Sequence, residues 1–345
     1  MNNIRTLAEY VEFPNLINAE IHVDRVAFKI FDFNVYWYAI IIAAGLLLAV
    51  LYCSMRAKKH GFTSDDITDI ALIGGLCGFV GARAYYCIFW NLNDANSYKF
   101  TLWTAISEIH MGGLAIYGGI IAGVIGGILV CKHKKISMLT AMDLGGCGFL
   151  IGQAIGRWGN FVNQEAYGAA TSSDYLFGMT GSHISTEMGS NVLVHPCFLY
   201  ESIWCALGLI VIHFLLSRIQ TFDGELFLYY VIWYGTGRGF IEGLRTDSLY
   251  IGPLRVSQLL GFASAAFCFI LLTYIKIKVK NSDKYIRWKD TEKAKVRAKK
   301  YLEDINIEKE TAKAYKAMAA VRKNNKQEEI APSILGDEND DKEGI

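Results

Sequence analysis

Seven long apolar stretches, each separated from the next by polar or charged residues, set the pattern of this chain. They run over about 35–52, 67–90, 112–131, 141–161, 197–216, 225–242 and 257–275. A helix rises about 1.5 Å per residue, so about 20 residues cross a hydrocarbon layer of about 30 Å. The pattern therefore predicts an all-α polytopic membrane protein with about seven transmembrane helices. Cations mark one side of it. Arg56, Lys58 and Lys59 follow the first run, Lys132-His133-Lys134-Lys135 the third, Arg218 the fifth, and Lys276, Lys278 and Lys280 the seventh. Such flanks collect on the cytoplasmic side, which predicts an N-terminus outside and a C-terminus in the cytoplasm.

Three stretches fall outside the runs. Residues 1–34 read as an extracytoplasmic lead-in, with partial period-two character over Val26-Ala27-Phe28-Lys29-Ile30-Phe31-Asp32-Phe33. Residues 162–195 form the longest polar excursion before the tail, rich in Gly, Ser and Thr; a loop of that length is more often functional than filler. Residues 281–345 are a charged cytoplasmic tail, helical in character to about Asn324 and then acidic, where weak helix or disorder is expected. The catalytic or binding domain is thus 35–280.

Composition refines this picture in three places. The chain is 52% hydrophobic and its net charge is +1, but the charges are segregated into the tail, so the total says little about partners. Eight cysteines lie in or beside apolar segments and form no CxxC pair, which points to small buried residues rather than disulfides or zinc ligands. The first 34 residues carry acids and lack a signal-peptide core, so the first membrane helix is expected to target the chain. Glycines recur every three or four residues, as at 74, 78 and 81, at 119, 123 and 127, and at 148, 152 and 156, a spacing that lets helices approach closely. Gly235-Thr236-Gly237-Arg238-Gly239 lacks a preceding soluble strand and no GxxxxGK occurs, which excludes the nucleotide-binding readings.

The candidate chemistry lies in charges that a membrane segment tolerates poorly. An ionised side chain at the centre of a spanning helix costs about 2.5–3.5 kcal/mol on insertion scales and usually faces a cavity or partner. The fourth run ends in Gly156-Arg157-Trp158-Gly159-Asn160-Phe161-Val162-Asn163-Gln164-Glu165. Under the proposed topology Arg83, Arg157, Glu165, His195, Glu201, Arg238, Glu242 and Arg245 all fall near the outer half. Several guanidinium groups at one level suit an anionic headgroup, because their forks match phosphate oxygens, and the glutamates would hold them as ion pairs. Blander readings stand beside this one: Arg157 snorkels to the interface, and Arg238 and Glu242, four apart, neutralise each other. His195-Pro196 reads as the start of a helix or as a base, and Tyr36-Trp37-Tyr38 as an interfacial aromatic belt.

Taken together, these motifs resemble the prolipoprotein diacylglyceryl transferase family. The family signature Gly-Arg-x-Gly-Asn-Phe-x-Asn-x-Glu is matched at every fixed position by residues 156–165. Further matches are Tyr36-Trp37-Tyr38, Gly81-Ala82-Arg83-Ala84-Tyr85-Tyr86, Gly112 through Gly119, His195-Pro196 through Tyr200-Glu201, and Tyr234-Gly235 through Arg238, Glu242 and Arg245. The resemblance covers about 10–280 and leaves the tail unexplained.

The resemblance implies transfer of the diacylglyceryl group of phosphatidylglycerol to the lipobox cysteine of a preprolipoprotein in the bacterial inner membrane, releasing glycerol 1-phosphate. It implies no metal or organic cofactor and no nucleic-acid partner. Arg157 and Arg238 would face the phosphate. Tyr38, Arg83, Asn160, Asn163, Glu165, Glu201, Glu242 and Arg245 would line or position the site. One departure concerns Tyr117, where some family members carry a histidine cast as the thiol's base. A phenol has a reference pKa of about 10 and is a weak base at neutral pH, so Tyr117 works as a phenolate beside the arginines or orients a substrate, with His110 a substitute base. The alternative is an anion transporter using the same arginines, for which inverted repeats would be expected and none is visible; a third reading is a scaffold of ion pairs.

Overall fold

A computed structural model describes residues 9–31, 33–92, 98–108, 112–190, 192–282 and 285–330. The lead-in is built of strands: β1 (Tyr10–Phe13), β2 (Ile17–His22), β3 (Val26–Ile30) and β4 (Phe33–Tyr36). Then come the helices α1 (Trp37–Ala57), α2 (Ser64–Leu92), a short α3 (Leu102–Ser107), α4 (Ile116–His133) and α5 (Met138–Asn163). The 162–195 stretch holds β5 (Thr180–Gly181) and α6 (Ser182–Met188). Helices α7 (Cys197–Ile210), α8 (Glu225–Glu242) and α9 (Val256–Lys280) follow, with a hairpin of β6 (Tyr250–Ile251) and β7 (Leu254–Arg255) before α9. α7 continues through a π-helical turn, Val211–Leu215, and a tighter turn, Leu216–Arg218.

Among the described residues, six helical segments are long and apolar enough to cross a membrane: Trp37–His60, Ser64–Leu92, Ile116–His133, Met138–Asn163, Cys197–Arg218 and Val256–Lys280. They correspond to six of the seven apolar runs. The remaining run forms α8, whose 18 residues include Glu225, Arg238 and Glu242. Those charges set it apart in composition, and their partners account for their presence.

The helices pack in close pairs, α2 on α4, α1 on α5 and α8 on α9, while α5 also touches α7 and α8. Small residues make the first pair possible. A Cβ added to Gly81 would sit 2.1 Å from the Cβ of Ala122 and 2.7 Å from the carbonyl oxygen of Gly118, so only glycine allows this approach.

Strands were expected in the lead-in only as one extended patch; the structure adds a second sheet. β1 pairs antiparallel with β2 and, on its other edge, with β5 from the 162–195 stretch, with Val11 opposite both Ile21 and Gly181. The alternating side chains of β1 put Val11 and Phe13 inward, where they join Tyr167, Met179, Ile184, Val194 and Phe198 in a core of their own. The 162–195 stretch is therefore a packed cap rather than a bare loop. At the opposite end of the bundle, Asp143 on α5 accepts hydrogen bonds from the backbone N–H groups of Gly224 (2.8 Å) and Phe227 (3.0 Å) at the start of α8. An acid at a helix N-terminus satisfies donors that have no partner within the helix.

The charged segment α10 (Glu292–Ile330) forms a separate unit, a helix of 39 residues with charges on all its faces. Residues 331–345, the acidic end of the expected tail, lie outside the described residues, as does His110.

Candidate active site

The site begins with how α5 ends. Gln164 adopts the left-handed conformation (φ 51°) and the Glu165 N–H donates back to the Asn160 carbonyl at 3.0 Å, a Schellman-type stop. This reversal carries the Glu165 side chain back onto the helix, where its Oε1 accepts from Asn160 Nδ2 (2.9 Å) and Asn163 Nδ2 (3.3 Å). Asn160 Oδ1 in turn accepts from Arg157 Nη1 at 3.3 Å. Gln164 is fully buried, and its side-chain oxygen accepts from the His183 N–H at 2.9 Å, which ties the helix end to the cap. The spacing of the signature thus has a geometric cause: Arg157, Asn160 and Asn163 share a helix face, and Glu165 folds back over it.

Glu201, on α7, is the hub. Its Oε2 pairs with Arg157 Nη2 at 2.6 Å, and its Oε1 with Arg238 Nη1 at 3.0 Å and Arg245 Nη1 at 3.5 Å. Arg238 also pairs through Nη2 with Glu242 at 2.6 Å, and Arg245 Nε lies 3.9 Å from the same carboxylate. Arg245 is held further by a bidentate pair with Asp247, 2.8 and 2.7 Å. The two glutamate side chains are buried, at 4% and 2% exposure, while the arginines stay partly open, at 21%, 18% and 11%. Three guanidinium groups therefore meet two buried carboxylates and the more exposed Asp247, which balances the charges while the guanidinium edges stay partly open. The Arg245 hydrogen bonds hold the Asp247 carboxyl below its usual range. Burial opposes the charge of Arg245, but Asp247, Glu201 and Glu242 outweigh it and raise its pKa.

Other expected residues fall at different distances from this hub. The Tyr38 ring lies against Gly159, where an added Cβ would meet it at 2.6 Å, so α1 delivers this tyrosine beside the Arg157 turn. His195 pairs through Nδ1 with the Tyr200 hydroxyl (3.1 Å), which meets the Tyr175 hydroxyl (2.9 Å); burial lowers the His195 pKa. Arg83 stands apart. It is buried and donates to the carbonyls of Ala105 (2.8 Å), Gly112 (2.6 Å) and Gly113 (3.3 Å), with the Phe100 ring 5.0 Å away, pinning the segment between α2 and α4. Tyr117, at the start of α4, is half exposed, and among the described residues its side chain has no hydrogen-bond partner.

Sequence reasoning gave no role to three residues. Asp247 completes the Arg245 clamp, although an exposed loop acid carries no pattern that marks it. Asp143 sits inside an apolar run, and the cost of burying a charge would have singled it out. Tyr234, one turn before Arg238, is the third: both arginines and Glu201 bear on it electrostatically.

Apolar helices of membrane-crossing length, with three arginines gathered around shared buried carboxylates, mark this as a polytopic membrane protein with a charged cluster inside its bundle. The comparisons narrow this. Residues 25–274 match the model of the family described as prolipoprotein diacylglyceryl transferase. A Bacillus cereus (strain G9842) phosphatidylglycerol–prolipoprotein diacylglyceryl transferase is 39% identical over 272 residues, 78% of this chain and 98% of the relative. Relatives of the same name from Bacillus cereus (strain B4264), 40% identical over 265 residues (76% and 95%), and Bacillus anthracis (strain A0248), 39% over 272 (78% and 98%), agree. The chain belongs to the prolipoprotein diacylglyceryl transferase family.

Proposed function

We propose that this protein transfers the diacylglyceryl group of phosphatidylglycerol to the lipobox cysteine of a preprolipoprotein. The thiolate sulfur attacks the glyceryl carbon, a C–S thioether bond forms, and the C–O bond to phosphate breaks. Glycerol 1-phosphate leaves, and the thiol proton passes to a base. The observation that carries this reading is the Arg157–Glu201–Arg238 arrangement in a chain of this family. Fixed cations bind the leaving phosphate more tightly as charge grows on it, which lowers the barrier to its departure. The buried glutamates hold the guanidinium groups in position beforehand, so little reorganisation is needed during reaction.

Asn160, Asn163 and Glu165 keep Arg157 aimed, Glu242 and Arg245 do the same for Arg238, and Tyr38 lines the approach from α1. Tyr117 orients a substrate on the α2–α4 side. In this reading α8 is a seventh span, the N-terminus lies outside and the C-terminus in the cytoplasm, and the membrane is the bacterial inner membrane. Lipid arrives laterally and the protein substrate from the outer face, where the cap of β1, β2, β5 and α6 covers the exit.

The test uses membranes holding the protein, acyl-labelled phosphatidylglycerol and a lipobox peptide with cysteine or serine. Label on the cysteine peptide alone, with glycerol phosphate released, is the expected result; no transfer by folded protein would overturn the reading. Anion flux in vesicles would instead support the transporter alternative, a name that none of the relatives described above carries.

A further inference from the structure

Residues 285–291 lie beyond the family match, which stops at 274, yet they are bound closely to the bundle at the end opposite the arginines. The Tyr285 hydroxyl accepts from the Asp223 N–H (2.8 Å) and donates to the Asp223 carboxylate (3.0 Å), which also accepts from the Trp288 N–H (2.7 Å). Arg287 donates to the Gln220 carbonyl (3.0 Å) and to its side-chain oxygen (2.5 Å). The Trp288 ring meets Phe62 edge-on and packs on a core that contains Cys53, Cys131 and Leu144. One short segment thus joins the turn after α1 to the turn before α8.

The bonds continue inward. Gln220, fixed by Arg287, donates through Nε2 to Asp143 at 2.8 Å, and that same carboxylate receives the first N–H groups of α8. Gln220, Asp223 and Asp143 are all buried. Asp143 therefore pins the start of α8 to the start of α5. Arg157 lies fourteen residues beyond Asp143, and Arg238 fourteen beyond Gly224. At about 1.5 Å per residue both arginines stand about 21 Å above this tie. Equal lengths from a common tie bring them to one level, where both reach Glu201.

We propose that residues 285–291 are a clasp that sets the register of α5 against α8, with Arg287 and Tyr285 as positioning residues for Arg157 and Arg238. The charged helix α10 follows directly in sequence, so whatever engages that tail has a covalent path to the clasp. The proposal rests on the reading of Arg157 and Arg238 as phosphate-facing groups.

Arg287→Ala, Arg287→Lys, Tyr285→Phe and Trp288→Ala, each in the full chain in membranes, test it through two readouts. One is the steady-state transfer of diacylglyceryl to a lipobox peptide. The other is N-ethylmaleimide labelling of Cys53 and Cys131, mapped by peptide mass. In Arg287→Ala, kcat is expected to fall roughly three- to thirtyfold, the range over which residues in a coupling network act. KM for phosphatidylglycerol should hold, because the headgroup still meets both arginines. Labelling of Cys53 and Cys131 should rise in Trp288→Ala and Arg287→Ala, and Arg287→Lys should recover part of kcat by donating to Gln220 again.

A clasp that served stability alone would raise labelling and leave kcat per folded molecule unchanged, and that result overturns the proposal; unchanged labelling also overturns it. Should Arg287→Ala fail to insert, Tyr285→Phe and Arg287→Lys keep the fold and carry the same comparison. Arg238→Ala in the same membranes separates the two ideas: activity surviving there removes the phosphate reading, whatever the clasp variants do.

Discussion

Arg157 and Arg238 grip opposite oxygens of one carboxylate, Arg157 on Oε2 of Glu201 at 2.6 Å and Arg238 on Oε1 at 3.0 Å. The two arginines come from different helices, and a buried glutamate on a third holds them together. Neither would stay at this spacing unaided, since their charges repel. Glu201 is thus the element on which the spacing of the paired cations depends.

Glu201→Gln should therefore be more damaging than loss of a surface charge. It leaves three guanidinium groups short of a buried partner, and breaking such a pair costs about 3–5 kcal/mol. The expected outcome is transfer reduced at least about 100-fold, as when a preorganised electrostatic group is removed, together with a lower melting temperature in detergent. A variant with full transfer would show that the carboxylate is dispensable.

Arg157→Lys tests geometry rather than charge. Arg157 uses separate nitrogens for Asn160 and Glu201, which a single ammonium cannot reproduce in one plane. Transfer should drop about 10²- to 10³-fold in kcat, the loss seen when one fixed donor to a developing charge is removed. Steady-state kinetics with labelled phosphatidylglycerol should show KM changing less than kcat.

Gly159→Ala places a methyl group where the Tyr38 ring now lies, 2.6 Å from its nearest carbon. Overpacking of this kind costs about 1–3 kcal/mol and forces the ring or α1 to shift. Activity should fall with it. Adding Tyr38→Ala should restore thermal stability without restoring transfer, because the clash goes but the lining residue is still missing.

Tyr117→Phe should retain transfer within about tenfold, well short of the 10²- to 10⁴-fold contribution of a general base. Among the described residues Tyr117 has no hydrogen-bonded cation beside it to favour a phenolate. A pH–rate profile of the variant provides the check: disappearance of an ionisation that controls kcat would assign the base to Tyr117 after all.

His195 gives a pH dependence whose sign is set by burial. Its pKa is lowered from 6.5, so the folded cap holds the ring neutral where the unfolded chain would already bind a proton. Stability conferred by the neutral ring is complete above about 6.5 and is lost as pH falls toward the lowered folded value. Thermal unfolding between pH 7.5 and 5 (roughly spanning the histidine range) should show this loss, and His195→Gln should lessen it by this residue's share.

The sequence by itself determined the membrane class and the ingredients of the site. Long apolar runs have few alternatives to helices in a bilayer, because every backbone polar group must be satisfied within the segment. Arg157, Glu201, Arg238 and Glu242 were legible as costly charges in such runs, and the 156–165 signature carried the family likeness. What the sequence left open was which charge meets which. Arg83 and Arg157 look alike as intramembrane arginines, yet one binds carbonyls of a neighbouring segment and the other a buried carboxylate. Sorting them requires contacts between helices far apart in the chain, as between Glu201 and Arg157. The cap was likewise hidden, since β1 pairs with β5 across about 170 residues and no local period reveals a two-residue strand. Local patterning sets which segments are helical because those hydrogen bonds are local; the pairing of charges and the register of α5 on α8 arise only when distant segments pack.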